Sequence, residues 1–131
     1  KVQDLKRRCE MVRKIQPDCV LSIHQNSYPE EAIHGAQVFY YEDSSEGKKL
    51  AEILQKHLVE VLDKENHRQA KGNRTYYMLK KTEATLVIVE CGFLSNNQEA
   101  LLLTDEKYQN KVAKAICSGT LEYLSSLAEK K

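Results

Sequence analysis

The chain has 131 residues, the length of one domain with a single buried core. Hydrophobic residues make up 41% of it and charged residues 30%, a composition that excludes a disordered chain. The net charge of +1 favours neither a nucleic-acid partner nor a membrane surface, and no apolar stretch approaches the length of a membrane-spanning helix.

The chain begins inside a helical pattern. Its apolar positions, spaced for one helix face, are Leu5, Cys9 and Val12. The helix should end near Gln16, because Pro17 disfavours helical geometry in the residue before it. No capping residue precedes the pattern, so we expect further residues upstream of Lys1.

Two strands are expected next. The segment Cys19–His24 has the apolar character of a short buried strand, and Gly35–Tyr41 is rich in residues that favour strands. A polar loop that contains Pro29 separates them. The first strand ends in His24, and polar residues, among them Asn26, follow at once.

The middle of the chain predicts a long helix followed by irregular structure. Asp43 and Glu46 have the spacing of a capping box. The apolar stripe of this helix consists of Leu50, Ile53, Leu54, Leu58, Val61 and Leu62. We expect a basic loop over residues 66–74 and a short strand or extended segment over residues 75–79.

The last third predicts a buried strand and two helices. Thr85–Glu90 is apolar for five positions and then acidic, as in a central strand buried on both faces. Ser95 and Gln98 have capping-box spacing before a short helix. The last helix should bury Tyr108, Val112, Ala115, Ile116, Gly119, Tyr123 and Leu127. Strands that alternate with helices predict a single α/β domain over residues 1–131.

Two polar side chains, those of His24 and Glu90, stand where apolar strands end. Sites in open α/β sheets form at the carboxyl ends of the strands. A histidine and a carboxylate there can bind a metal and act as its general base, or form an acid–base couple. Each residue alone is equally compatible with a structural role, as a capped histidine or a satisfied carboxylate. The pattern therefore identifies a candidate site and leaves its chemistry open.

Four segments of the chain carry a family resemblance: LSIHQNS, GAQVFYY, SSEGKKLA and VIVECGFLSNNQEALLLTDEKYQNKVAKAI. The chain resembles the zinc-dependent N-acetylmuramoyl-L-alanine amidases of the amidase_3 family, with the greatest similarity to the germination-specific CwlD type of spore formers. The resemblance covers nearly all 131 residues. It implies a central mixed β-sheet flanked by helices, without the family's first strand and the helix that follows it.

The resemblance also assigns roles to two residues. It implies that His24 is a zinc ligand and that Glu90 is the catalytic acid–base residue. Asn26, which follows the strand end, is a candidate substrate-binding residue. The implied reaction is hydrolysis of the amide between N-acetylmuramic acid and L-alanine in the peptidoglycan of the cell wall or spore cortex. It implies an extracytoplasmic location and, in some spore formers, a lipoprotein partner.

The family takes its other two zinc ligands from segments that this chain does not contain. We therefore expect that Zn²⁺ is absent from this chain alone and that the chain alone is inactive. Four residues are not expected to serve as substitute ligands, because zinc ligands must converge within strict distances: His34, His57, His67 and Cys91. An exposed edge of the sheet is expected to permit self-association.

Two other functions remain open from the sequence. One is a cysteine-dependent hydrolase that uses Cys91 and His24, although Cys91 should point away from Glu90 because successive strand residues face opposite sides. The other is a non-catalytic module that binds peptidoglycan or a partner protein. In that module, the basic residues His67, Arg68, Lys71 and Arg74 would hold acidic groups. A solvated loop is the simpler interpretation of these residues, and buried reduced thiols are the simpler interpretation of the cysteines.

Overall fold

The computed structural model describes residues 2–130. In chain order the elements are α1 (Val2–Ile15), β1 (Val20–Asn26), β2 (Gln37–Tyr41), α2 (Ser45–Leu62), β3 (Lys71–Asn73), α3 (Tyr77–Lys81), β4 (Leu86–Phe93), α4 (Asn97–Leu103) and α5 (Glu106–Glu129).

The four strands form one mixed sheet in the order β1-β4-β2-β3. Strand β4 pairs in parallel with β1 and antiparallel with β2, while β2 and β3 are parallel. All eight residues of β4 are buried, as expected for a central strand whose residues are nearly all apolar. The α/β class and the mixed sheet are confirmed.

Helices cover both faces of this sheet. Helices α2 and α5 pack on one face and bury the larger core. The fully buried leucines of α2 are Leu50, Leu54 and Leu58, which belong to the predicted stripe. Helices α1 and α3 cover the opposite face through a smaller cluster around Cys9, Met78 and Leu79. The sheet is thus the middle of three layers.

Several local predictions were wrong. The segment predicted as a strand over residues 75–79 is mostly helix α3, and β3 lies inside the predicted basic loop. The two helix caps lie one residue later than predicted: Ser44 accepts from Gly47 N, and Asn96 accepts from Glu99 N. Both shifted caps still satisfy a backbone N–H in the first turn.

Strand β1 is half-buried to exposed along its length, so the prediction of a buried strand was wrong. The reason is its place at the outside of the sheet, where it pairs with β4 alone among the described residues. Ile23 is 57% exposed on this strand. Self-association through this edge stays a prediction. None of the helices described is long and apolar enough to span a membrane.

A hydrogen bond joins the two helices of the larger core. The hydroxyl of Tyr123, a residue that is 1% exposed, donates to Glu46 Oε1 at 2.8 Å. This bond lowers the pKa of the Glu46 carboxyl below its usual value, while burial raises the pKa of Tyr123 to about 12. Tyr123 is therefore the neutral donor and Glu46 the ionised acceptor near pH 7.

We expect Tyr123→Phe to lower the free energy of unfolding by about 1 kcal/mol at pH 7, because a hydrogen bond to a carboxylate is lost. The difference should shrink as the pH falls through the lowered pKa of Glu46, where the carboxylate becomes protonated. Denaturant unfolding at several pH values measures both effects. Tyr40→Phe, which removes a hydroxyl without a hydrogen bond to the described residues, is the control. An equal loss in both variants would contradict the assignment.

Candidate active site

His24 and Glu90 lie side by side at the carboxyl ends of two parallel strands. They are register partners across β1 and β4, so both side chains leave the same face of the sheet. The pairing continues without a shift from Val20–Leu86 up to this pair. Just beyond it the register shifts, and Asn26 pairs with Phe93. The irregularity ends regular pairing at the predicted site.

The two side chains line one cleft with a volume of about 160 Å³. Helix α1 contributes Leu5 and Arg8 to its wall, and residues around α3 contribute Tyr76, Tyr77 and Met78. Its remaining lining residues are Ser22 and Ile88. The cleft thus has an apolar and aromatic wall with a few convergent polar groups.

Glu90 is the buried partner of the pair, with only 7% of its surface exposed. Its Oε2 atom has no hydrogen-bond partner among the described residues. Burial raises the pKa of this carboxyl, and the nearby His24 opposes the rise. A carboxyl that is unpartnered and desolvated in this way is suited to proton transfer, since its pKa moves toward neutral pH.

His24 is the exposed partner, because it stands on the edge strand. Its Nε2 atom lies 2.7 Å from the hydroxyl oxygen of Ser22, two residues earlier on the same face of β1. Asn26, predicted to bind substrate, accepts a hydrogen bond from Ser27 N through Oδ1 at 2.8 Å and does not line the cleft. Its role in substrate binding stays a prediction.

The other histidines are not brought to this pair. His34 and His67 are exposed, and the carbonyl of His34 accepts from Arg68 Nε at 2.8 Å. His57 lies 3.0 Å from Glu122 on the opposite side of the sheet, where α2 packs on α5.

The basic loop is held largely by internal contacts. Arg68 also donates to Gln37 Oε1 and stacks over the ring of Phe93, 5.2 Å from its centroid. Arg74 pairs with Glu42 and Asp43 at 2.8 Å and 2.7 Å. Both arginines therefore have partners within the chain, which weakens the proposal of a loop that binds acidic ligands.

Cys91 points into the core formed with α2 and α5, opposite Glu90, as the strand alternation predicts. It is 5% exposed, and burial raises its pKa to about 11. Cys9 is also buried, whereas Cys19 is half-buried and Cys117 is exposed, so burial of the thiols was predicted correctly for only part of the set.

We expect Cys91 to resist alkylation in the folded protein at pH 8, where about one thiol in a thousand is ionised at a pKa of about 11. The exposed Cys117 should react at the rate of an ordinary surface thiol. Mass spectrometry of the iodoacetamide-treated protein, native and unfolded, measures both rates. Rapid modification of Cys91 in the native protein would revive the cysteine-dependent alternative.

One residue important for the shape of the site, Glu99 of α4, was missed by the sequence analysis. Both of its carboxylate oxygens accept from Gly35 N at 3.0 Å, and Oε1 also accepts from Phe93 N at 2.9 Å. A Cβ atom on Gly92 would lie 3.2 Å from Oε1, so the glycine permits this close approach. Glu99 thereby ties the end of β4 to the turn before β2.

One feature of the sequence could have indicated a role for Glu99: it lies three residues after the helix cap Asn96. A glutamate in that position usually returns to the backbone of the cap in a capping box. Here the carboxylate reaches two other backbone N–H groups, one of them 64 residues away. The local pattern identifies an acceptor but does not identify its donors.

We expect Glu99→Gln to lower the free energy of unfolding by about 2 kcal/mol, because bonds from N–H groups to a carboxylate are replaced by weaker ones. Chemical denaturation measures the loss. Glu52→Gln is the matched control, since Glu52 is an exposed residue of α2. If the two variants unfold at the same denaturant concentration, Glu99 does not hold the two segments together.

The Amidase_3 family, described as N-acetylmuramoyl-L-alanine amidase, matches residues 1–122. The chain belongs to this family. The germination-specific N-acetylmuramoyl-L-alanine amidase of Bacillus subtilis is 36% identical over 125 residues, which are 95% of this chain and 52% of that protein. The chain therefore spans about half the length of that relative.

Two solved amidase structures share the fold. The CwlD amidase from Clostridioides difficile, solved in complex with the GerS lipoprotein, is 42% identical with a TM-score of 0.90. The match covers 93% of this chain and 62% of that one. The catalytic domain of CwlV from Bacillus (Paenibacillus) polymyxa is 30% identical with a TM-score of 0.82, over 92% of this chain and 65% of that one.

Amidase_3 proteins are generally zinc-dependent. A catalytic zinc normally has three protein ligands. Residues 2–130 hold no cluster of three or more histidine, cysteine, aspartate or glutamate side chains that could bind a metal. His24 fits as one nitrogen ligand, and the unpartnered Glu90 Oε2 is a second polar group in the same cleft. The described residues thus fit part of a zinc site without completing it.

Proposed function

We propose that this chain forms part of the catalytic domain of an amidase that hydrolyses the bond between N-acetylmuramic acid and L-alanine in peptidoglycan. The observation that carries the proposal is the buried, unpartnered carboxyl of Glu90 beside His24 in one cleft. Membership of the N-acetylmuramoyl-L-alanine amidase family supports the choice of reaction.

In this proposal Glu90 is the general acid and base. Its carboxylate takes a proton from the attacking water and then passes a proton to the nitrogen of the leaving L-alanine. Burial raises the pKa of Glu90 from its usual value toward neutral pH, which favours its use in proton transfer. The apolar wall of the cleft keeps bulk water from solvating the carboxyl.

His24 is one zinc ligand in this proposal, and the remaining ligands come from outside residues 2–130. A bound zinc ion polarises a carbonyl oxygen and makes water a better nucleophile near neutral pH. His24 is exposed on the edge strand, so its ring is accessible to a zinc ion whose other ligands lie elsewhere. On this view the described chain alone binds zinc weakly or not at all.

The substrate and location follow from the relatives. We include in the proposal a spore-cortex or cell-wall substrate outside the cytoplasmic membrane, since one relative is named as germination-specific and another, from Bacillus anthracis, as a cell wall amidase. A lipoprotein partner is proposed on the same ground, because the CwlD amidase was solved in complex with one.

Hydrolysis of purified cortex peptidoglycan by the protein that also carries the remaining zinc ligands, followed as the release of new L-alanine amino groups, tests the proposal. We expect Glu90→Gln to lower the rate at least about 100-fold, because proton transfer is lost while the shape of the side chain is retained. Glu83→Gln, a change at an exposed residue just before β4, should leave the rate unchanged.

Equal activity of the Glu90→Gln protein and the unchanged protein would refute the role of Glu90. Peptidoglycan binding that survives Glu90→Gln, with no hydrolysis by any form, would instead favour the non-catalytic binding module. Chelation tests the requirement for zinc independently of Glu90. Removal of a required zinc should abolish activity, and added zinc should restore it.

A further inference from the structure

Arg8 carries a permanent positive charge in the cleft of His24 and Glu90, and the proposed reaction gives it no role. It lies on helix α1, whose residues Leu5 and Cys9 belong to the smaller core. Among the described residues that line the cleft, Arg8 is the one lysine or arginine. Its charge therefore acts on any ligand that enters the cleft.

The guanidinium of Arg8 has one weak partner. Its Nη2 atom lies 3.1 Å from Oδ2 of Asp4, one turn earlier on the same helix, and the two side chains are 52% and 62% exposed. Exposed pairs of this kind contribute little, because water and salt screen them. Arg74, by contrast, donates two hydrogen bonds to the carboxylate of Asp43. No other acidic side chain of residues 2–130 pairs with Arg8, so most of its five N–H donors are available to a ligand.

Arg8 and Glu90 give the cleft charged groups of opposite sign that differ in burial. Glu90 is 7% exposed, whereas the side chain of Arg8 is 52% exposed. An ionised Glu90 repels an anionic ligand, and a guanidinium in the same cleft offsets that repulsion. A ligand with an amide and a nearby carboxylate can therefore place its amide beside Glu90 and its carboxylate beside Arg8.

We propose that Arg8 is a specificity-determining residue that binds a carboxylate of an acidic stem peptide. This inference rests on the proposed amidase function, in which the leaving group is a peptide that begins with L-alanine. A guanidinium binds a carboxylate through two parallel N–H bonds, which orient the bound peptide and also increase its affinity. The volume of the cleft is only about 160 Å³, so the carboxylate bound by Arg8 lies within a few bonds of the amide beside Glu90.

Equilibrium binding of two synthetic ligands tests the proposal. The first is N-acetylmuramoyl-L-alanyl-D-glutamate, and the second is the same compound with its carboxylates converted to amides. Isothermal titration calorimetry with a chelator present measures both affinities without a contribution from zinc. We expect the unchanged protein to bind the acid about 10-fold more tightly than the amide. Arg8→Gln should remove this preference, and Arg8→Lys should retain only part of it, because an ammonium group cannot form the two parallel bonds.

Arg7→Gln is the matched control, since Arg7 is the preceding exposed residue of α1 and does not line the cleft. It removes the same charge from the same helix and should leave the preference for the acid intact. Glutamine favours helices, so neither change at these exposed positions should unfold α1. Asp4→Asn should strengthen binding of the acid, because it removes the carboxylate that competes for Arg8.

Equal binding of the acid and the amide by the unchanged protein would overturn the proposal, as would no detectable binding of the acid. The same loss of preference in the Arg7→Gln and Arg8→Gln proteins would also overturn it. Failure of the proposed function is observed separately, as an absence of peptidoglycan hydrolysis. A preference for the acid that depends on Arg8, in a protein that hydrolyses no peptidoglycan, would support the carboxylate site and refute the amidase.

Discussion

The parallel pairing of β1 with β4 is the constraint on which the candidate site depends. It sets His24 opposite Glu90 and turns both side chains toward the same cleft. A slip of one residue in this register would send His24 to the other face, because side chains alternate along a strand. The remainder of the fold holds β4 in place between β1 and β2, with helices over both faces.

The same pairing gives the two residues opposite surroundings. Glu90 belongs to the central strand and is desolvated there, which raises its pKa. His24 belongs to the edge strand and remains exposed. Glu90 is therefore shielded from solvent, whereas His24 is accessible to it. The difference in burial between Glu90 and His24 arises from the order of the strands in the sheet and requires no unusual property of either side chain.

Charged side chains near the site mainly form hydrogen bonds within the chain that hold neighbouring segments together. Glu99 binds backbone N–H groups at Gly35 and Phe93, and Arg68 holds His34 and Gln37. These contacts fix the loop before β2 and the end of β4, next to the strand ends that carry His24 and Glu90. In contrast, Oε2 of Glu90 is buried without a hydrogen-bond partner among the described residues.

The sequence by itself determined the elements with strong apolar periodicity and indicated His24 and Glu90 as a candidate pair. The stripes of α2 and α5 and the apolar run of β4 are local properties, and so is the polar residue that ends each strand. Only the tertiary structure decided that β1 is an edge strand, that α3 is helical and that Glu99 reaches Gly35. Sheet order and contacts between residues 64 positions apart depend on how distant segments meet, and no local pattern encodes that meeting.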